Sequence, residues 1–132
     1  MTDIILVDDD EAMRSFLQTA LTRAGHRVTS FGDGLSAYNH LAIPEQPADL
    51  LLTDIVMPGM DGIELSQRAL DLRPGIRIMY ITGFGTVSRN TLPDRAQDAQ
   101  VMAKPLHLSQ LVSEVNRQLG ITEKQLPDTP AL

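Results

Sequence analysis

Short apolar runs alternate along the chain with segments in which apolar residues recur at helical spacing. The apolar runs predict five strands, at residues 4–7, 27–31, 50–53, 76–82 and 101–103. The runs at 4–7 and 50–53 are apolar at nearly every position, which is typical of strands covered on both faces. Strands and helices alternate along the whole chain, and this order favours a parallel sheet with helices on both sides.

The segments between the strands carry the start and stop signals of helices. Asp10 precedes and Gly25 follows a stripe of apolar residues at three- and four-residue spacing. Aspartate and glycine at these places are typical of a helix N-cap and of a helix end. Asp33 begins a second, short helix, and Asp61 begins a third with a sequence that resembles a capping box. The last helix is predicted from about residue 109 to Gly120.

Two segments lack such signals. Residues 86–100 are polar and contain Pro93, which interrupts any helix. Residues 121–132 contain two prolines and show little periodicity, so we predict a mobile tail there. We therefore expect one domain at residues 1–120, followed by this tail.

Composition restricts the function mainly by exclusion. A chain of 132 residues allows one domain with a sizeable core. Its net charge of −6 argues against broad binding of nucleic acid or of an anionic membrane. No apolar run approaches the roughly 18 residues needed to span a bilayer, and the N-terminus has no signal-peptide pattern. The absence of cysteine removes disulfide and thiolate chemistry and favours a cytoplasmic location.

Polar residues stand at the ends of four predicted strands. Asp8 and Asp9 follow the first strand, Asp54 the third, Thr82 the fourth and Lys104 the fifth. In a doubly wound sheet, functional groups collect beyond the carboxyl ends of the strands, near the point where the strand order reverses. We therefore expect three carboxylates, one hydroxyl and one ammonium group to meet at one edge of the sheet.

The chemistry of such a cluster is restricted by its charge. Taken alone, Asp8 and Asp9 could form a solvated acidic turn, but Asp54 ends a buried strand, where an unpaired charge is costly. Two carboxylates about 5 Å apart repel by roughly 3 kcal/mol at an effective dielectric constant of ~20. Three of them either raise one pKa strongly or bind a divalent cation, and oxygen ligands suit Mg²⁺. With the ammonium and the hydroxyl, the cluster suits phosphoryl transfer to a nucleophilic carboxylate.

Four motifs in this order resemble the receiver domain of two-component response regulators. They are VDDDEAMR at residues 7–14, TDIVMPGMDG at 53–62, ITG at 81–83 and KP at 104–105. Each motif is short, but four of them in order, each at the end of a strand, form a specific pattern. The resemblance covers residues 3 to about 119. It implies a flavodoxin-like, doubly wound α/β fold with five parallel strands in the order 2-1-3-4-5 and helices on both faces.

The resemblance implies a role for each residue of the cluster. Asp54 would accept a phosphoryl group, Lys104 would pair with that group, and Thr82 would bind it as the conformational switch. The implied cofactor is Mg²⁺. Its implied ligands are Asp9, Asp54 and the Val56 carbonyl directly, and Asp8 through water. A cis peptide bond between Lys104 and Pro105 is also implied.

Two features depart from the family pattern. Val101 stands three residues before Lys104, where the family usually has Tyr or Phe, so the usual coupling of Thr82 to an aromatic ring lacks its ring. Residues 86–100 lack the usual Gly-Ala pair and carry Pro93. This difference predicts a fourth helix that is short, shifted or partly unfolded.

The resemblance implies a stand-alone response regulator that binds a protein target according to its phosphorylation. One such role is that of a protease adaptor of the CpdR-like kind, which the sequence resembles in overall form. Because few residues follow residue 119, we expect no DNA-binding or enzymatic output domain in this chain. The alternative is a receiver domain cut from a longer protein. We expect a histidine kinase or a histidine phosphotransfer protein as donor, a downstream protein target, and no nucleic-acid or membrane partner. The chain would be a monomer or weak dimer, and it would catalyse only its own phosphorylation and dephosphorylation.

Two other functions stay open from the sequence alone. A phosphorelay shuttle would pass the phosphoryl group on to a histidine phosphotransfer domain. A Mg²⁺-dependent phosphohydrolase with an aspartate nucleophile usually needs a second carboxylate two residues later, where this chain has Val56.

Overall fold

The computed structural model describes residues 2–83 and 88–120. The strands in these ranges are β1 (Asp3–Val7), β2 (Arg27–Phe31), β3 (Leu50–Asp54), β4 (Arg77–Thr82) and β5 (Gln100–Ala103). The α-helices are α1 (Glu11–Arg23), α2 (Gly34–Leu41), α3 (Gly62–Leu72) and α4 (Leu108–Gln118), and two short 3₁₀ helices lie at Arg89–Thr91 and Asp94–Ala96. The predicted strands are confirmed, with bounds that differ by one residue at most.

The five strands form one parallel sheet in the order β2-β1-β3-β4-β5, which confirms the predicted topology. The strand order reverses beside β1, which has β2 on one side and β3 on the other. Val7 pairs with Thr53, and Asp54 pairs with Ile81, so the carboxyl ends of the three central strands lie level. Residues that follow these strands are thereby placed at one crevice, where α/β sheets bind ligands.

Both faces of the sheet are covered by helices. Along β1, Ile4 and Leu6 face one side, and Ile5 and Val7 face the other. The first side packs against α1 and α4 through the buried side chains Leu17, Leu21, Leu111 and Val115. The second side packs against α2, α3 and the 3₁₀ segment through Ala37, Leu41, Leu65, Ala69, Leu92 and Ala96. This two-sided burial explains why the runs of β1 and β3 are apolar throughout.

The predicted helix ends are also confirmed. The side chains of Asp10, Asp33 and Asp61 each accept a hydrogen bond from the backbone N–H three residues later. Each bond satisfies an amide that the first turn of a helix leaves without a partner. After α1 and α4 the chain turns at Gly25 and Gly120, whose φ angles are 98° and 72°. This left-handed backbone is the conformation that favours glycine after a helix.

Between β4 and β5 the described residues form 3₁₀ turns rather than an α-helix, as the break at Pro93 predicts. The two turns lie on either side of Pro93. Arg89 stabilises them, because its guanidinium donates hydrogen bonds to the carbonyls of Gln97 (2.8 Å) and Ala99 (2.6 Å). Leu92 is 3% exposed and packs into the core, so the segment covers the sheet without a regular helix.

Two further predictions concern membrane-spanning segments and the C-terminal tail. Within residues 2–83 and 88–120, the helices are too short and too polar to cross a membrane. The predicted tail at residues 121–132 lies outside the described residues.

Candidate functional site

A cluster of charged side chains lies at the carboxyl end of the sheet. Asp8 directly follows β1, Asp54 ends β3, and Lys104 directly follows β5. Asp8 is 0% exposed and Asp54 is 6% exposed, so both carboxylates are in surroundings where a charge requires a partner. The structure therefore brings together groups that are far apart in the sequence, as the strand order predicts.

Lys104 is the partner of both buried carboxylates. Its Nζ atom donates a hydrogen bond to Asp54 Oδ2 at 3.2 Å and lies 3.4 Å from Asp8 Oδ2. The second distance is longer than that of a typical charge-assisted hydrogen bond, and the contact acts as an ion pair. Within the described part of the chain, Asp8 Oδ2 has no hydrogen-bond partner although it is buried. A buried carboxylate oxygen in this state is typical of a position that binds a cation or a water molecule.

The three carboxylates form a set of ligands that fits Mg²⁺. Asp8, Asp9 and Asp54 each offer one oxygen, and these oxygens lie within 4.8 Å of one another. Three carboxylates facing the single ammonium of Lys104 leave two negative charges uncompensated, which is the charge that one Mg²⁺ would neutralise. All the donors are oxygens, and Asp9 is exposed to solvent, which allows water to complete the coordination.

The pKa values of Asp8 and Lys104 are both raised, but for different reasons. Burial raises the pKa of Asp8 above its usual value, and the charge of Asp54 adds to this rise, whereas the Asp10 amide and Lys104 oppose it. Burial lowers the pKa of Lys104, but the hydrogen bond to Asp54 and the charges of both aspartates outweigh burial, so this pKa lies above its usual value. Lys104 is therefore an ammonium ion at neutral pH and can attract a phosphoryl group.

Thr82 is joined to Lys104 through the backbone, and Val56 follows Asp54 by two residues. Thr82 ends β4 with 2% exposure, and its carbonyl accepts a hydrogen bond from the Lys104 amide at 2.8 Å, which ties β5 to β4 at the site. The Lys104–Pro105 peptide bond is cis, as predicted. Val56 lies in the loop between β3 and α3 and is 54% exposed. The switch role of Thr82 and the ligand role of the Val56 carbonyl stay predictions.

Gly62 contributes to the site in a way that the sequence analysis did not assign. A Cβ atom at this position would lie 2.0 Å from the carbonyl oxygen of Asp54, a distance that no side chain tolerates. The Gly62 amide also donates a hydrogen bond to the Ile55 carbonyl at 2.8 Å. Helix α3 therefore begins directly against the backbone of Asp54. One signal was present, because glycine is a poor choice inside a helix unless close packing requires it.

Comparison with known proteins decides the family. The family model of the response regulator receiver domain matches residues 4–116. The chain belongs to this family. Receiver domains are signalling modules of two-component systems, and their phosphoryl donors are histidine kinases or phosphotransfer proteins.

Two relatives differ in how much of their length this receiver domain spans. The response regulator receiver protein CpdR of Brucella abortus is 51% identical over 119 residues, which are 90% of this chain and 98% of that protein. The transcriptional regulator NtrC of Azospirillum brasilense is 34% identical over 117 residues, which are 89% of this chain but 24% of that protein. The receiver domain thus matches nearly the whole length of CpdR.

A solved structure confirms the fold. The crystal structure of a response regulator receiver protein from Sinorhizobium medicae superposes with a TM-score of 0.80 at 27% identity. The superposition covers 90% of this chain and 94% of that one.

Proposed function

We propose that this receiver domain accepts a phosphoryl group on Asp54 from a phosphohistidine donor, with Mg²⁺, and signals by binding a protein target when phosphorylated. The observation that carries the proposal is the position of Lys104, whose ammonium lies between the buried carboxylates of Asp54 and Asp8. An ammonium in this position neutralises a phosphoryl group that is transferred to Asp54.

In the proposed reaction, a carboxylate oxygen of Asp54 attacks the phosphorus atom of the donor. The bond between phosphorus and the donor imidazole breaks, and its electron pair stays on the imidazole nitrogen. The product is an acyl phosphate on Asp54. Transfer of this kind depends mainly on positioning and on charge neutralisation, because the protein has little other chemistry to supply.

Each neighbouring residue has one task in this reaction. Asp9, Asp54 and the Val56 carbonyl would hold Mg²⁺ directly, and Asp8 would hold it through water. When bound, Mg²⁺ supplies positive charge to the phosphoryl oxygens. Lys104 exchanges its hydrogen bond to Asp54 Oδ2 for one to a phosphoryl oxygen, and the Thr82 hydroxyl donates to another. These new contacts pull the ends of β4 and β5 towards the modified residue.

The output of the proposed signal is a protein contact. We propose a downstream target in the cytoplasm and no nucleic-acid or membrane partner. We propose that this target is a protease and that the receiver domain acts as its adaptor, the role that the resemblance to CpdR-like regulators implies. The chain would be a monomer or weak dimer and would act on no substrate other than its own Asp54.

Intact-mass spectrometry tests the proposed phosphorylation. The chain is incubated with acetyl phosphate, with Mg²⁺ or with a chelator, and Asp54→Asn is treated in parallel. We expect one phosphate on the native chain with Mg²⁺, and none on Asp54→Asn or in the chelator sample. Equal incorporation in Asp54→Asn would contradict the proposed acceptor.

A further inference from the structure

We propose that Arg14 is a positioning residue of the phosphorylation site. Its guanidinium holds the backbone of Asp8 and thereby directs the carboxylate oxygen Oδ2 of Asp8 towards Lys104 and the Mg²⁺ position. The inference rests on the proposed function and adds a residue to it, since neither the charge pattern nor the acidic cluster assigns a role to Arg14.

The polar atoms of Asp8 show how its carboxylate is fixed. The Asp8 amide donates to the Phe31 carbonyl at 3.2 Å, and the Asp8 carbonyl accepts from Arg14 Nη1 at 2.8 Å. The carboxylate oxygen Oδ1 accepts from the Asp10 amide at 2.9 Å. Among residues 2–83 and 88–120, Oδ2 is then the one polar atom of Asp8 without a hydrogen bond, and it lies 3.4 Å from Lys104 Nζ. The position of Oδ2 is therefore set by the hydrogen bonds of the amide, the carbonyl and Oδ1 of Asp8.

Of the three groups that bond to Asp8, the one from Arg14 belongs to a side chain. The bonds to Phe31 and Asp10 use backbone groups on the partner side, so they do not depend on the side chains at those positions, apart from a proline at position 10. The third bond requires a long side chain with an N–H donor at position 14, in the second turn of α1. It connects the orientation of α1 to the end of β1, because Arg14 belongs to the helix and the Asp8 carbonyl belongs to the strand end.

The turn after β2 leaves space for this contact. A Cβ atom at Gly32 would lie 3.0 Å from Arg14 Nη1, so the guanidinium would have to shift by a few tenths of an ångström beside a larger residue. Arg14 is half-buried, and the Asp8 residue is fully buried. A carbonyl in such a place loses a partner that water cannot easily replace when the guanidinium is removed. The peptide unit of Asp8 would then rotate, and Oδ2 would move with it.

Removal of a group that orients a metal ligand typically lowers metal affinity or activity 10- to 100-fold. The test compares Arg14→Met, which keeps an unbranched apolar stem but removes the donor, with Arg14→Lys, which keeps a donor. The matched control is Arg23→Met, which removes an exposed arginine from the last turn of the same helix. Mg²⁺ affinity is measured by isothermal titration calorimetry. Exchange of the Asp10 amide is measured by NMR on the metal-free proteins.

We expect Arg14→Met to lower Mg²⁺ affinity by about tenfold, the lower end of this range because Asp8 would hold the ion through water, and to speed exchange of the Asp10 amide. Arg14→Lys should regain most of the affinity, and Arg23→Met should stay within about twofold of the native chain. Native affinity with native Asp10 exchange in Arg14→Met would overturn the proposal. An equal loss in Arg23→Met would also overturn it, because the effect would then be general.

A second variant decides the question if Arg14→Met does not fold, as judged by circular dichroism. Gly32→Val keeps Arg14 but places a branched side chain where its guanidinium lies, so we expect a smaller loss in the same two measurements. Native values in Gly32→Val would then overturn the proposal. Failure of the proposed function would be recognised separately, since the native chain itself would not bind Mg²⁺, whereas Asp10 exchange in the metal-free proteins would still test Arg14.

Discussion

The three carboxylates of the site differ in how their charges are compensated. Lys104 contacts Asp8 at 3.4 Å and Asp54 at 3.2 Å, and both of these residues are buried. Asp9 is exposed, and its carboxylate oxygen lies within 4.8 Å of the other two. Its charge is therefore repelled by two neighbours and screened mainly by water. Removing this charge changes the electrostatics of the site with little change in packing.

Asp9→Asn should raise the melting temperature of the metal-free protein by roughly 2–4 °C, because it removes like-charge repulsion. The same change should weaken Mg²⁺ binding and slow phosphorylation, because a ligand is lost. Glu11→Gln is the control, since Glu11 lies in the first turn of α1 and outside the acidic cluster. Differential scanning calorimetry without metal measures the effect, and a lower melting temperature for Asp9→Asn would show that repulsion is not dominant.

At the scale of secondary-structure elements, the connection from β3 to α3 places the acceptor. The Cα of Gly62 approaches the Asp54 carbonyl so closely that a Cβ would lie 2.0 Å from its oxygen. The side chain of Asp61 caps the same helix by accepting from the Glu64 amide at 2.8 Å. The first turn of α3 is thereby held against the residue that receives the phosphoryl group, so a shift of either would move the other.

Gly62→Ala should destabilise the protein by about 1–3 kcal/mol or more, because the new methyl group forces α3 away from β3. It should also slow phosphorylation by acetyl phosphate, since Asp54 moves with the strand end. Gly75→Ala is the matched control, because a Cβ there meets no atom within 4 Å. Urea denaturation compares the two variants, and equal stabilities would mean that the backbone absorbs the clash without cost.

The 3₁₀ segment before β5 depends on Arg89 more than on helix propensity. Its guanidinium bonds two backbone carbonyls, whereas Arg95 in the same segment forms an exposed ion pair with Asp71. Arg89→Met should therefore speed hydrogen exchange of the Ala96 and Ala99 amides, and Arg95→Met should not, because exposed ion pairs contribute little. The same exchange rates in both variants would exclude this role of Arg89.

At the scale of the whole molecule, the site exists because parallel strands end at one edge of the sheet. Lys104 and Asp54 are 50 positions apart in the chain, yet they are joined by a hydrogen bond. The strand order puts β3 between β1 and β4, with β5 next to β4. The charged groups come from three strand ends, with Asp8 and Asp9 after β1, Asp54 at the end of β3 and Lys104 after β5. The arrangement of the site therefore depends on the complete sheet rather than on any local motif.

The dependence of the site on the complete sheet explains which of its features the sequence could predict. Strand positions and the caps at Asp10 and Asp61 follow from local patterns, and the meeting of Asp54 with Lys104 follows from the order of elements. The glycine at position 62 indicates close packing, but its partner, the Asp54 carbonyl, could not be predicted, because the contact depends on the distance between two backbones. The bonds of arginine side chains to distant carbonyls are equally hidden, since a long flexible side chain can reach many acceptors.

Reduction with borohydride tests the central claim most directly, because it converts an aspartyl phosphate into homoserine and so marks the acceptor. The chain is treated with acetyl phosphate and Mg²⁺, reduced, digested and sequenced by tandem mass spectrometry, with a sample lacking acetyl phosphate as control. We predict homoserine at position 54 in the treated sample alone. Homoserine at position 8 or 9, or at none of the three aspartates, would contradict the assignment of Asp54 as the phosphoryl acceptor.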